Sequence, residues 1–553
     1  MKSQFIDAAG LQLHVRSEGD GAPVVLLHPS PLSSTAVWPL AQGLAPHFRV
    51  YAFDTPGYGL SDPLPRQPGS LDDYLPVLAQ ALDALGLKRF CLYGAATGAQ
   101  IAVEFAKRWP ERVAQLVLDS AGHIDAEECE RIVRDYFPDV TPQSDGRHLV
   151  TYWQMVRDLF VFFPWCDTRD VSRVDRDLPP PAVMQAMLLD YLRAGQRYHW
   201  AYRPAFHNER AERTQAVTVP AALVRWQGSI ALRITDALIE AGLPAQFKVL
   251  HAGPTPAERI ASIVAHLREN YRDAQVLAPP AQPAPAGRLR RAFIDTAVGP
   301  LHLRRADAGA DAPLLLLHSA TGSGALMQRA AASWVGRRPV LALDLPGHGE
   351  SPLPAGSPVS TVESAADAVA AALDALGCDT VDVLGQHYGA LAGLELAHRH
   401  PRRVRGLTAL GLPWLLAEES VAATTEAAPS IAPLGDGTHL IRAWYMMRDS
   451  LLWFPHQRTQ RTHALRVDPA FDASAIHERV VELMKIGERY RDVLRAQAEY
   501  PVAERLGATR TALRLARVPG DGFGARAEFA AAAAANATVI DVPRDVARWP
   551  DLL

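Results

Sequence analysis

One ordered series of landmarks occurs twice in this chain, at an offset close to 290 residues, as His28 and His318 illustrate. Phe5-Ile6-Asp7 returns as Phe293-Ile294-Asp295, and each copy precedes an apolar run ending in histidine, VVLLH to His28 and LLLLH to His318. Phe53-Asp54-Thr55-Pro56-Gly57-Tyr58-Gly59 returns as Leu343-Asp344-Leu345-Pro346-Gly347-His348-Gly349. The segments ALDALGL and ALDALGC then lead to Gly94-Ala95-Ala96-Thr97-Gly98 and Gly385-Gln386-His387-Tyr388-Gly389. Each of these feeds a helical stretch closed by a proline and an Arg-Val pair. Repetition on this scale identifies a duplicated unit. Short apolar strands alternating with amphipathic helices predict βαβ units and a parallel sheet in each copy.

The chain of 553 residues is too long for one ordinary core. The uncharged, Pro- and Ala-rich stretch LAPPAQPAPAG, Leu277 to Gly287, has the composition of a stiff extended spacer. Two domains are therefore expected, 1–275 and 291–553, joined by a linker over 276–290. Within each, a long stretch of helical periodicity, about 122–215 and about 413–505, separates the glycine-flanked turn from the last strands.

Apolar residues make up 48% and charged residues 21%, with a formal charge of −4, which describes a folded globular protein and argues against nucleic acid as a partner. The first residues lack the apolar stretch of a secretory signal, and no run of about 18 apolar residues is present. No membrane partner and a cytoplasmic location are the resulting expectations. The 4 cysteines have neither paired nor metal-type spacing, and none of the 19 histidines falls in an H-x-x-x-H pattern. Neither a metal nor a cofactor is expected. A small-molecule substrate or ligand is the expected partner, and the oligomeric state is left open.

The order of a strand ending in His, a D-x-P-G-x-G turn, a glycine-flanked strand-to-helix turn and a following helix resembles the α/β-hydrolase superfamily, twice over. The resemblance implies an α/β fold of two tandem domains, each a mostly parallel sheet flanked by helices and carrying a helical cap. It also implies a nucleophile at the centre of G-x-S-x-G; the corresponding residues are Ala96 and His387. A complete triad needs an acid after a late strand and a histidine after the last one. In the first half those places fall at Ser229 and Pro254, so all three roles are vacant, and His251 lies too early, inside the last strand. In the second half Asp521 stands at the acid position, while Pro543-Arg544-Asp545 again supplies no late histidine.

His387 is accordingly the expected catalytic residue, with Asp521 as its acid partner. Imidazole can remove a proton, activate water or attack a carbonyl itself. The backbone N–H of Tyr388, with one from Ser319, Ala320 or Thr321 in the loop after His318, would form an oxyanion hole. The Tyr388 hydroxyl is read either as a proton donor or as a packing group. Cap residues His439, Trp444 and Arg448 are expected to line the pocket or the cap core. In the first half His28, Pro29, Ala96 and Thr97 would frame an equivalent concavity without a base, with His148, Trp153 and Arg157 from the cap lining it or the cap core. Arg157-Asp158 and Arg448-Asp449 predict internal ion pairs. These features predict an atypical enzyme acting on a small, partly apolar carbonyl compound, with His387 as base or nucleophile. Its reaction would be ester, lactone or C–C bond hydrolysis, or base-catalysed elimination or isomerisation. The alternative is a catalytically inactive pseudohydrolase that binds a ligand or acts as a scaffold.

Overall fold

Pro23–Leu27 and Leu314–Leu317 are buried at every position, which only a central parallel strand covered on both faces permits. The computed structural model describes residues 1–280, 287–307, 309, 311–354, 356–357, 361–415 and 428–553. The middle of the expected linker, 281–286, and the segment 416–427 of the second cap lie outside the described residues.

The first half contributes β1 (Lys2–Ala8), β2 (Leu11–Glu18), β3 (Pro23–Leu27), β4 (Arg49–Phe53), β5 (Leu87–Ala95), β6 (Val113–Asp119), β7 (Ala221–Trp226), β8 (Phe247–Ala252) and the short β9 (Gln275–Val276). The sheet order is β1-β2-β4-β3-β5-β6-β7-β8. The pairs β1–β2 and β2–β4 are antiparallel, and the path from β4 to β8 is parallel throughout. β9 pairs antiparallel with the start of β5, and the N–H of Leu277 donates to the Gly86 carbonyl. The first residues of the expected linker are therefore tied to the sheet.

The second half repeats the plan with β10 (Arg290–Thr296), β11 (Gly299–Ala306), β12 (Leu314–Leu317), β13 (Val340–Leu343), β14 (Val381–Gln386), β15 (Val404–Leu410), β16 (Ala512–Arg517) and β17 (Ala537–Asp541). Their order is β10-β11-β13-β12-β14-β15-β16-β17, the same crossover pattern. After the last strand the first half has a long helix, Pro256–Asn270, opened by a capping box at Thr255 and Glu258. The second half has only the short turn Val546–Asp551, which buries Trp549.

The chain forms two compact units. One is Met1–Thr141 with Thr151–Pro283, and the other is Pro142–Val150 with Ala284–Leu553. Nine residues of the first half thus pack within the second unit. Between β6 and β7 the cap of the first half is helical at Ala126–Tyr136, Arg147–Asp158, Pro181–Ala194 and Tyr202–Asn208. Between β15 and β16 the described cap helices are Thr438–Asp449, Ala473–Ile486, Tyr490–Glu499 and Val502–Ala508. No described helix is long and apolar enough to cross a membrane.

The first cap returns to its sheet through a buried carboxyl. Glu209 Oε2 accepts the Gly122 N–H at 2.6 Å, and the Gln100 side chain also bonds it. Burial pushes this carboxyl up to about 8, against the smaller opposing pull of those donors. A folded value above the ordinary 4.5 means that the folded unit holds the proton longer than the unfolded chain does. Stability from this group is complete below about pH 4.5 and is lost as pH rises through about 8, a loss of roughly 5 kcal/mol in total. Urea unfolding of the full chain at pH 5.5 and pH 8 is expected to show this decline for the first unit. Glu209→Gln should flatten it, and an unchanged slope in that variant would refute the assignment.

Candidate active site

His387 sits between β14 and the helix Tyr388–Arg399 with φ 48° and ψ −110°. Ala96, between β5 and the helix Thr97–Arg108, has φ 47° and ψ −114°. A positive φ at a residue with a β-carbon is strained by about 1–3 kcal/mol and persists only where the surroundings enforce it. Here the flanking glycines do so. A β-carbon on Gly389 would stand 2.4 Å from the Leu317 carbonyl oxygen, and one on Gly385 would stand 2.5 Å from the Gly389 carbonyl oxygen. The helix start is thereby pressed against the end of β12, and the turn carries its central side chain outward. The His387 N–H donates to the Leu410 carbonyl, and its own carbonyl accepts from Ala390, locking the turn from both sides.

At this turn His387 Nε2 lies 2.9 Å from Asp521 Oδ2. The ring is 28% exposed and the carboxylate 10%. The other carboxylate oxygen, Oδ1, accepts the N–H groups of Phe523 at 2.9 Å and Gly524 at 3.1 Å. Burial alone would raise the Asp521 carboxyl. The charge and hydrogen bond of His387, with the two backbone donors, outweigh it and hold the group below the usual carboxylate range. An ionised Asp521 accepts hydrogen bonds only, so the neutral His387 ring carries its proton on Nε2 and presents the Nδ1 lone pair. Phe523 stands edge-on to the imidazole at 5.4 Å and against Phe454 at 4.7 Å. Phe523 also borders a cleft of about 410 Å³ lined by Pro413, Trp414, Tyr500, Pro501 and Val502. Nothing in the sequence singles out Phe523 except its place two residues after Asp521.

The strand-end histidines are positioning groups. His318 Nε2 accepts the Leu345 N–H at 3.0 Å, so its Nδ1 carries the proton and donates to the Ser319 carbonyl at 2.9 Å. His28 makes the same pair of bonds to Thr55 and Pro29. Burial lowers both rings, keeping them neutral. They fix the loops that carry Pro29 and Ser319–Thr321. Ala320 is buried and its carbonyl lies 3.1 Å from His348 Nε2. The Tyr388 ring is fully buried against His348 and its hydroxyl donates to the Thr361 carbonyl at 3.0 Å. That hydroxyl proton is engaged by a backbone carbonyl.

The cap residues divide between core and surface. His148 belongs to Pro142–Val150, inside the second unit and not in a pocket of the first. Its Nδ1 accepts the Gln143 N–H, so Nε2 donates to His477 Nδ1 at 3.1 Å. Burial, then the His477 charge, lowers it to about 4. Trp444 is fully buried edge-on to His148, and its indole N–H donates to the Ser144 carbonyl. His439 is equally buried, its Nδ1 accepting the Leu434 N–H, and burial lowers it to about 4. The pairs Arg157–Asp158 and Arg448–Asp449 form at 3.1 and 3.0 Å, but the arginines are 43% and 29% exposed, so neither pair is internal. Arg448 lies over the Phe471 ring instead. Helical periodicity marks an apolar stripe but not which neighbour covers it.

In the first unit Ala96 is half-buried and Thr97 and Trp153 are buried. Ser229 bonds the Ser120 hydroxyl at 3.0 Å, and the Pro254 carbonyl accepts the Trp226 indole N–H. His251 is exposed within β8. Among the described residues no three His, Cys, Asp or Glu side chains gather as a metal site.

The family described as alpha/beta hydrolase fold matches residues 22–148 and again residues 312–454. The chain is a tandem α/β-hydrolase-fold protein. A 2-hydroxy-6-oxononadienedioate/2-hydroxy-6-oxononatrienedioate hydrolase of Klebsiella pneumoniae is 35% identical over 124 residues, 21% of this chain and 43% of that protein. A pimeloyl-[acyl-carrier protein] methyl ester esterase of Neisseria meningitidis is 48% identical over 82 residues, 15% of this chain and 28% of that protein. The chain thus spans less than half the length of either relative. Among solved structures, epoxide hydrolase A of Mycobacterium thermoresistibile superposes with TM-score 0.40 at 16% identity, over 50% of this α/β-hydrolase-fold chain and 99% of that one. A thermophilic esterase of Thermogutta terrifontis gives 0.37 at 19% identity, over 49% and 97%.

Proposed function

We propose that the second unit is an enzyme acting on a small, partly apolar carbonyl compound, with His387 as its base or nucleophile. The reaction is hydrolysis of an ester, lactone or activated C–C bond, or a base-catalysed elimination or isomerisation. The observation that carries this reading is the Nε2 to Asp521 bond of 2.9 Å at a partly exposed ring on the elbow. Asp521 holds the tautomer, and Nδ1 takes a proton from water or from carbon next to the carbonyl. As base, His387 becomes an imidazolium beside the carboxylate. Charge developing on the substrate oxygen is met by the N–H of Tyr388 at the helix start and by an N–H from the Ser319–Thr321 loop. The apolar cleft beside Phe523 suits a hydrocarbon arm. The Klebsiella and Neisseria relatives, by name a dienedioate hydrolase and a methyl ester esterase, support a carbonyl substrate.

The first unit reads differently. With Ala96 at the turn, Ser229 held by Ser120 and Pro254 where a histidine is needed, it has no base, which favours a binding or bracing role. The test is a screen of the full chain against p-nitrophenyl esters, γ- and δ-lactones and β-diketones. Saturable turnover in at least one class is expected. Turnover in none of them would overturn the enzymatic reading and favour a pseudohydrolase.

A further inference from the structure

Apart from either elbow, the first unit has a groove of about 460 Å³ between the loop Gln67–Leu71 and the cap helix Tyr202–Asn208. Arg203, Arg213, His199, His207 and Trp200 line it, and none of its lining residues is acidic. Carboxylates beside the lining are engaged, Asp73 among them, which accepts the Gly69 N–H at 2.7 Å. Glu104 bonds Lys107 at 2.7 Å and lies 3.8 Å from Arg213, while Glu130 lies 3.6 Å from His207 and is largely exposed.

Arg203 has no carboxylate partner among the described residues. Its guanidinium lies over the Phe137 ring at 5.1 Å, and its Nε is buried without a hydrogen bond. Stacking on an aromatic face fixes the plane of a guanidinium and saves the conformational entropy that a free arginine would lose on binding an oxyanion. His199 stands close enough to feel that charge. Burial first, and then Arg203, lower its imidazole. Arg213 shares the Glu104 carboxylate, whereas Arg203, beside Trp200 and His199, faces the groove with no acidic residue in its lining.

We infer that this groove binds a small organic oxyanion, a carboxylate or phosphate ester carried on a ring or short apolar body. The head group pairs with Arg203 and Arg213, and the apolar body lies along Trp200. Because the groove is built from a core loop and a cap helix, the bound ligand braces the cap of the first unit. This inference is independent of any chemistry at His387.

Isothermal titration of the full chain with benzoate, phenyl phosphate, inorganic phosphate and benzyl alcohol tests it. Benzoate or phenyl phosphate is expected to saturate one site, and the tighter of the two identifies the head group. Benzyl alcohol should not saturate, and inorganic phosphate should bind at least tenfold more weakly than phenyl phosphate. Arg203→Gln should weaken the organic anion at least tenfold. If that variant fails to fold by circular dichroism, Arg213→Gln must weaken binding at least threefold. Saturation by neither organic anion, equal binding of inorganic phosphate, or affinity unchanged in the folded variants would overturn the inference.

Discussion

Asp521→Asn is expected to lower kcat by about two to four orders of magnitude with KM nearly unchanged. The reason is the direction in which the new amide must sit. Oδ1 of Asp521 receives the N–H groups of Phe523 and Gly524, so an asparagine at 521 keeps its carbonyl oxygen there. Its NH₂ group then faces His387 Nε2, where the carboxylate oxygen had been. An NH₂ donor requires a lone pair on Nε2, which moves the ring proton to Nδ1 and removes the base from the side open to substrate. Substrate still binds, because no contact to it is lost. Steady-state kinetics on the best substrate of the screen measure this split. Equal kcat in the variant would show that Asp521 does not set the tautomer.

Asp344→Ala is expected to destabilise the second unit by about 3–5 kcal/mol. This carboxylate is buried and accepts from His302 Nδ1 at 2.8 Å, the Gly324 N–H at 2.7 Å and the Glu350 N–H at 2.9 Å. A β-carbon on Gly349 would stand 2.2 Å from it, so the turn wraps around the carboxylate. Alanine leaves those donors buried without an acceptor. Asp54, bonded by His14 and by the N–H groups of Ser34 and Leu60, is the same anchor in the first unit, and Asp54→Ala should match the effect there. Burial would raise both carboxyls, yet the histidine and arginine charges hold them well below the ordinary 3.8. A depressed folded value means stability that is present above about pH 4 and lost as acid protonates the pair. Urea unfolding of the full chain checks this, and a midpoint shift worth under about 0.5 kcal/mol would contradict it.

The duplicated architecture was legible because its signals are local. Runs such as LLLL and the glycine-flanked turns each require a particular backbone, wherever the rest of the chain goes. The loops holding His387 and Asp521 were legible for the same reason, since each follows its own strand end. What local pattern could not give is the partner across the fold. His302 and Asp344 lie 42 residues apart and His14 and Asp54 40, and neither spacing marks them as a buried pair. His148 and Trp444 read as pocket or cap-core residues alike, because a helix stripe is apolar either way. Arg448 read as buried, but its long stem lets the guanidinium reach the Phe471 face near the surface.

Under the proposed function, chemistry resides at the His387 elbow and not at the Ala96 elbow. Side-by-side turnover of the best substrate by the wild-type chain, His387→Ala and Ala96→Ser measures it directly. The expected result is loss of at least about a thousandfold in His387→Ala, the scale seen when a catalytic base is removed, with Ala96→Ser equal to wild type. Turnover that survives His387→Ala in a folded chain would contradict it.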